Sequence, residues 1–125
     1  MRRSTFILVM SLLFGCATVD SLQPGGGEKI VVRGHTYAEV WKAANRAMSH
    51  QLTIVSANRT TGAIRAEKAV GMATWGEVVG VFISPPDEKG TVFTVEAVSL
   101  KRSRLQLTGQ DWALTVLQGI QVELE

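Results

Sequence analysis

From residue 29 to residue 124 the apolar residues switch between a spacing of two and a spacing near 3.6, and few architectures accommodate the order in which they do so. Residues 29–33 (KIVVR) form a short β-rich run. Thr36-Tyr37-Ala38-Glu39 then reads as a capping box, in which hydroxyl and carboxylate each satisfy an orphan backbone N–H, so a helix begins there. Tyr37, Val40, Trp41, Ala44, Ala47 and Met48 follow at offsets of three and four, with Glu39, Lys42, Arg46 and Ser49 mostly on the other side. Residues 52–57 and 63–68 alternate on either side of the turn-forming NRTTG at 58–62, which predicts a hairpin. Residues 77–84, stopped by Pro85-Pro86, and residues 91–100 predict a second hairpin, with Phe93, Val95 and Ala97 on one face and Thr94 and Glu96 on the other. Trp112, Ala113, Val116, Leu117, Ile120 and Leu124 mark a second helix over 110–124. The expected fold is α+β in the order β-α-β-β-β-β-α, a mostly antiparallel sheet with two helices packed on one face.

The amino-terminal residues carry a different kind of signal. Arg2 and Arg3 precede an apolar run over 5–15 (TFILVMSLLFG), which is shorter than the roughly 20 residues a membrane-crossing helix needs. Such a run reads as the core of a secretory signal. It ends Leu13-Phe14-Gly15-Cys16, which resembles the lipobox of bacterial lipoproteins: Leu13 and Gly15 fit the pattern, while Phe14 is bulkier than the residue usual at its position. The resemblance implies that the Cys16 thiol receives a diacylglyceryl group, that cleavage falls between Gly15 and Cys16, and that the new terminus is acylated. Ala17, where an Asp would retain the protein at the inner membrane, implies the periplasmic face of the outer membrane. The expected organisation is a signal peptide over 1–15, a lipidated cysteine with a flexible linker over 16–28, and one domain over 29–125.

Cleavage changes the charge balance. The full chain has 13 Lys and Arg against 11 Asp and Glu, and losing Arg2 and Arg3 leaves 11 of each. A neutral body has no cationic footprint for nucleic acid. Cys16 is the only cysteine, so no disulfide is available once it is lipidated, and a hydrophobic core must hold the domain. Gly25-Gly26-Gly27 lacks the preceding strand and following Lys-Ser/Thr of a phosphate-binding loop, so it reads as linker and no nucleotide is expected.

Catalytic chemistry is sparse. His35 and His50 stand outside any metal-ligand spacing, no Gly-x-Ser-x-Gly elbow occurs, and neither a catalytic residue, a metal nor a cofactor is expected. Binding has better candidates. Met72 and Trp75 sit among small residues in VGMATWG, and Lys101, Arg102 and Arg104 cluster in KRSR; both are candidate contacts for an envelope partner or lipid headgroups. Trp41, Phe82, Phe93 and Trp112 are candidates to line a groove for a small apolar ligand, with core packing as the competing expectation.

The element order, together with the Tyr37/Trp41 helix, the Thr61-Gly62-Ala63-Ile64 hairpin and the Trp112 helix, resembles the small helix-grip domains of envelope lipoproteins, such as those of the assembly-machinery lipoprotein BamC. That likeness implies a non-enzymatic accessory module of an envelope assembly. A carrier or sensor of an apolar ligand is the first alternative. An envelope hydrolase, in which His35 or His50 meets a carboxylate in a cleft, is the second.

Overall fold

The computed structural model describes residues 22–68, 76–101 and 112–125. Five strands, β1 (Glu28–Arg33), β2 (Thr53–Asn58), β3 (Ala63–Lys68), β4 (Glu77–Ser84) and β5 (Val92–Lys101), form one antiparallel sheet in the order β1-β5-β4-β3-β2. Helix α1 (Tyr37–Ser49) follows β1, and helix α2 (Trp112–Glu123) follows β5. The fold is α+β, with the element order expected from the sequence.

The start of α1 follows directly from its sequence. Thr36 Oγ1 accepts from Glu39 N at 3.2 Å while the Glu39 carboxylate accepts from Thr36 N at 3.0 Å, so two orphan donors are satisfied reciprocally. Behind this cap Tyr37, Val40, Ala43, Ala44, Ala47 and Met48 turn inward. They meet Trp112, Val116, Leu117 and Ile120 of α2 and one face of the sheet, made by Val32, Ile64, Ala66, Val79, Val81, Ile83, Phe93, Val95 and Ala97. Small residues let the helices approach closely: a Cβ on Gly119 would stand 3.2 Å from Ala47 Cβ. Tyr37 stacks near Phe93 and Trp41 and donates its hydroxyl to the Arg59 carbonyl, tying the start of α1 to the β2–β3 turn.

That turn is fixed by Asn58 and Gly62. The Asn58 side chain accepts from Thr60 N and Thr61 N, and Gly62 adopts φ +75° with its carbonyl accepting from Ile83 N at 2.9 Å. A Cβ at Gly62 would lie 2.4 Å from the Ile83 carbonyl oxygen. Gly62→Ala is therefore expected to cost about 3 kcal/mol, combining the left-handed backbone penalty with displacement of β4. A lowered urea midpoint at unchanged slope checks this.

Two expectations are corrected. The simple alternation over 52–57 is interrupted by a register shift between Ile54 and Ser56. Ile54 keeps to the helix-covered face opposite Ala66, Val55 is exposed, and Ala57 pairs with Ile64 on the same side as Ile54 but is itself exposed. The extra residue resets the alternation, as a bulge does. The second correction concerns the expected linker. Residues 22–27 lie against the sheet face remote from the helices, and Leu22 is fully buried. The described part of the expected linker, residues 22–27, is thus packed on the body of the domain. Burying one leucine contributes about 1.5–3 kcal/mol, which offsets only part of the roughly 1–2 kcal/mol per residue that ordering the segment costs, so polar contacts must hold it as well.

Candidate functional site

Cys16, Gly15, Met72, Trp75, Arg102 and Arg104 lie outside the described residues. Lys101 closes β5, its backbone in register with Glu77. The described candidate residues divide between the two sides of the molecule.

On the helix side, each histidine meets a carboxylate. His35 Nδ1 lies 3.3 Å from Glu39 Oε2, and His50 Nε2 lies 3.3 Å from Glu123 Oε1, whose other oxygen is 3.7 Å from Arg46. His35, Glu39, Lys42, Arg46 and Glu123 line an open groove of about 260 Å³, and none of the described residues lining it carries a hydroxyl or thiol. Glu39 is committed to the helix cap: the Thr36 N–H, then the His35 ring and Thr36 side chain, hold its carboxyl below the usual range. A carboxylate so stabilised is a weak proton donor near neutrality. His50 is 67% exposed, and an ion pair in that setting contributes roughly 0–1 kcal/mol. Glu123 thus links α2 to two residues at the end of α1 through weak, exposed contacts.

The four rings do not share a groove. Phe93 and Trp112 are buried in the core, Trp41 is half-buried against Tyr37, and Phe82 faces the opposite side of the sheet. Between the helices, Ala47, Leu52, Trp112, Val116 and Gly119 border a cleft of about 180 Å³. That is below the roughly 300 Å³ at which small-ligand pockets begin. Among the described residues no three His, Cys, Asp or Glu side chains converge as a metal site, and no helix is long and apolar enough to cross a membrane.

The opposite face has the more distinctive arrangement. Gly80 on β4 leaves a hollow: a Cβ there would come within 3.1 Å of the Phe82 ring and 3.4 Å of Leu22 Cδ1. Leu22 fills this space, and its carbonyl accepts from Arg65 Nη2 at 3.2 Å. Arg65 also stacks its guanidinium 5.3 Å from the centre of the Phe82 ring. Further along, Gly25 N donates to both Glu96 oxygens at 2.8 and 2.9 Å, and Gly27 N donates to Oε2 at 2.8 Å. Gly25 and Gly26 reach this geometry at φ +108° and +77°. The glycine run does present its N–H groups to an anion, and the anion is this chain's own Glu96.

Glu96 is 6% exposed. Burial alone would push its carboxyl pKa up, but the Gly25 and Gly27 N–H donors, with Lys29 across the β1–β5 pair, outweigh that and hold it below the usual range. Residues 22–27 are therefore a strap fastened at both ends, by a leucine in a hollow and by a carboxylate gripping two amides. Sequence reasoning missed Leu22, Arg65, Gly80, Glu96 and Glu123. A usable signal was present in Leu22, a bulky aliphatic residue in a segment otherwise dominated by small and polar ones. Comparison with family models and with curated proteins finds no match, so the functional reading rests on this chain's own residues.

Proposed function

We propose that the chain is a lipid-anchored, non-enzymatic interaction module of the bacterial envelope, held through Cys16 at the periplasmic face of the outer membrane. The observation that carries this reading is the sequence Leu13-Phe14-Gly15-Cys16, in register behind a charged start and an apolar run. The strap adds a geometric consequence. Cys16 is six residues from Leu22, and a fully extended chain spans at most about 3.6 Å per residue, so the anchor lies within about 22 Å of Leu22. The helix-grip likeness, resting on element order, favours an accessory role in an envelope assembly. Met72, Trp75, Lys101, Arg102 and Arg104 are the proposed partner contacts. The lack of a hydroxyl or thiol among the described residues of the His35 groove and the size of the inter-helix cleft favour this reading over hydrolase and ligand carrier.

Substituting Cys16→Ser tests it. Each buried methylene contributes about 0.8 kcal/mol, so losing two or three acyl chains is expected to move the protein from almost wholly membrane-bound to unanchored. Fractionation after a carbonate wash measures this. A Cys16→Ser protein that stays with the membrane as fully as the parent chain contradicts the anchor.

A further inference from the structure

We infer that the sheet face carrying the strap is also a membrane-docking surface, and that anionic headgroups of the bilayer cover the end of it formed by Lys29, Val31, Arg33 and Val92. The inference rests on the anchor proposed above and adds the orientation of the domain.

Three observations lead to it. The strap brings the polypeptide to this face at Leu22, so an anchor at Cys16, within about 22 Å of Leu22, tethers the domain from this side of the sheet. At the β1–β5 end the same face is incompletely covered. Val31 is 57% and Val92 39% exposed, although Val31, Thr94 and Val92 lie side by side in a sheet whose other face is buried. Finally, the exposed aliphatic pair is bracketed by cations: Lys29 and Arg33 flank Val31 on its own strand, and Arg33 is in register with Val92. Among the described residues neither cation is in direct contact with a carboxylate, Lys29 acting on Glu96 only at longer range. The carboxylate beside Lys29, Glu96, is turned to the Gly25 and Gly27 amides, and Glu67 stands on β3, three strands from β1.

Aliphatic side chains ringed by cations match the boundary between headgroups and acyl chains, where both kinds of contact are satisfied together. The helix side is different in kind. Arg46 and His50 already share Glu123, and His35 pairs with Glu39. Leu114 and Val122 are also exposed, but they lie on α2, on the side of the sheet away from the strap. A protein partner on the strap face is the main competing occupant, and the test separates the two.

The full-length chain is expressed in cells with a photoreactive amino acid at position 31, at 92, at 122 on α2, or at 38 on the exposed side of α1. After irradiation, lipid and protein adducts are measured by mass spectrometry alongside the mass of the Cys16 peptide. Lipid adducts are expected at 31 and 92 and only at background at 38 and 122. Arg33→Ala should lower the adduct at 31 about fivefold, the loss corresponding to one near-surface cation, while Cys16 stays modified. With Cys16 modified, equal lipid yields at all four positions, or a protein adduct at 31 in place of lipid, overturn the docking face and leave the anchor standing. An unmodified Cys16 overturns the anchor and the docking face with it.

Discussion

Leu22→Ala is expected to release the strap while leaving the five strands and two helices assembled. Leucine-to-alanine changes at fully buried sites cost about 2–5 kcal/mol, and Leu22 has no exposed surface. The cost falls on a segment held at one end by that side chain and at the other by Glu96, so local release should precede global unfolding. Hydrogen exchange is the suitable measurement. The Gly25 and Gly27 amides should lose most of their protection, while the amides of β4, the strand between β3 and β5, keep theirs. The hollow at Gly80 offers the converse perturbation, because a side chain there would occupy the space Leu22 fills. Uniform loss of protection throughout the sheet would mean that Leu22 belongs to the global core and not to a separable strap.

Glu96→Ala is the second change expected to have a large effect. It removes the acceptor of three hydrogen bonds and leaves the Gly25 and Gly27 N–H groups to find water. Hydrogen bonds to a charged group are each worth about 1.5–3 kcal/mol, but the loop can relax outward, so a total of about 2–3 kcal/mol is expected for strap docking. The same clasp has a pH signature whose direction follows from its electrostatics. Despite burial, the two glycine amides and Lys29 hold the folded carboxyl below its ordinary value of about 4.3. The folded state therefore binds the Glu96 proton more weakly than the unfolded state does. The stabilisation is fully present above the ordinary value and is lost as pH falls through the lowered folded value. Gly25 and Gly27 protection should thus be level near neutrality and fall only on acidification below the ordinary carboxylate range, whereas the Glu96→Ala variant should lack that acid limb.

Much of the fold was legible because local signals agreed with one another. The Thr36/Glu39 cap, most inward positions of α1 and α2 and the limits of β4 each depend on residues close in sequence and appear where the pattern places them, except that Ala43 is buried where the pattern named Trp41, and Leu124 is only partly buried. The β2 bulge was hidden because Thr53, Ile54, Val55 and Ser56 suit the alternation in either register; pairing with β3 decides it. The strap was hidden for a different reason. Gln-Pro-Gly-Gly-Gly has the composition of a flexible linker, and the carboxylate that orders it lies 71 residues beyond Gly25. Glu96 reads as an ordinary solvent-facing residue of an alternating strand until the loop above it is placed. Phe82 shows the same difficulty: hydrophobicity marks it for burial, but the strand register assigns it to the face of Arg65 and Leu22. The proposed contacts at Met72, Trp75, Arg102 and Arg104 lie outside the described residues, so the site that geometry supports best is the strap face.

The most direct test of the central claim is the mass of the amino-terminal peptide of the mature protein, taken from native membranes. The account predicts a peptide that begins at Cys16, carries a diacylglyceryl group on sulfur and lacks residues 1–15. A peptide that retains Gly15, or a Cys16 recovered with a free thiol, would contradict it.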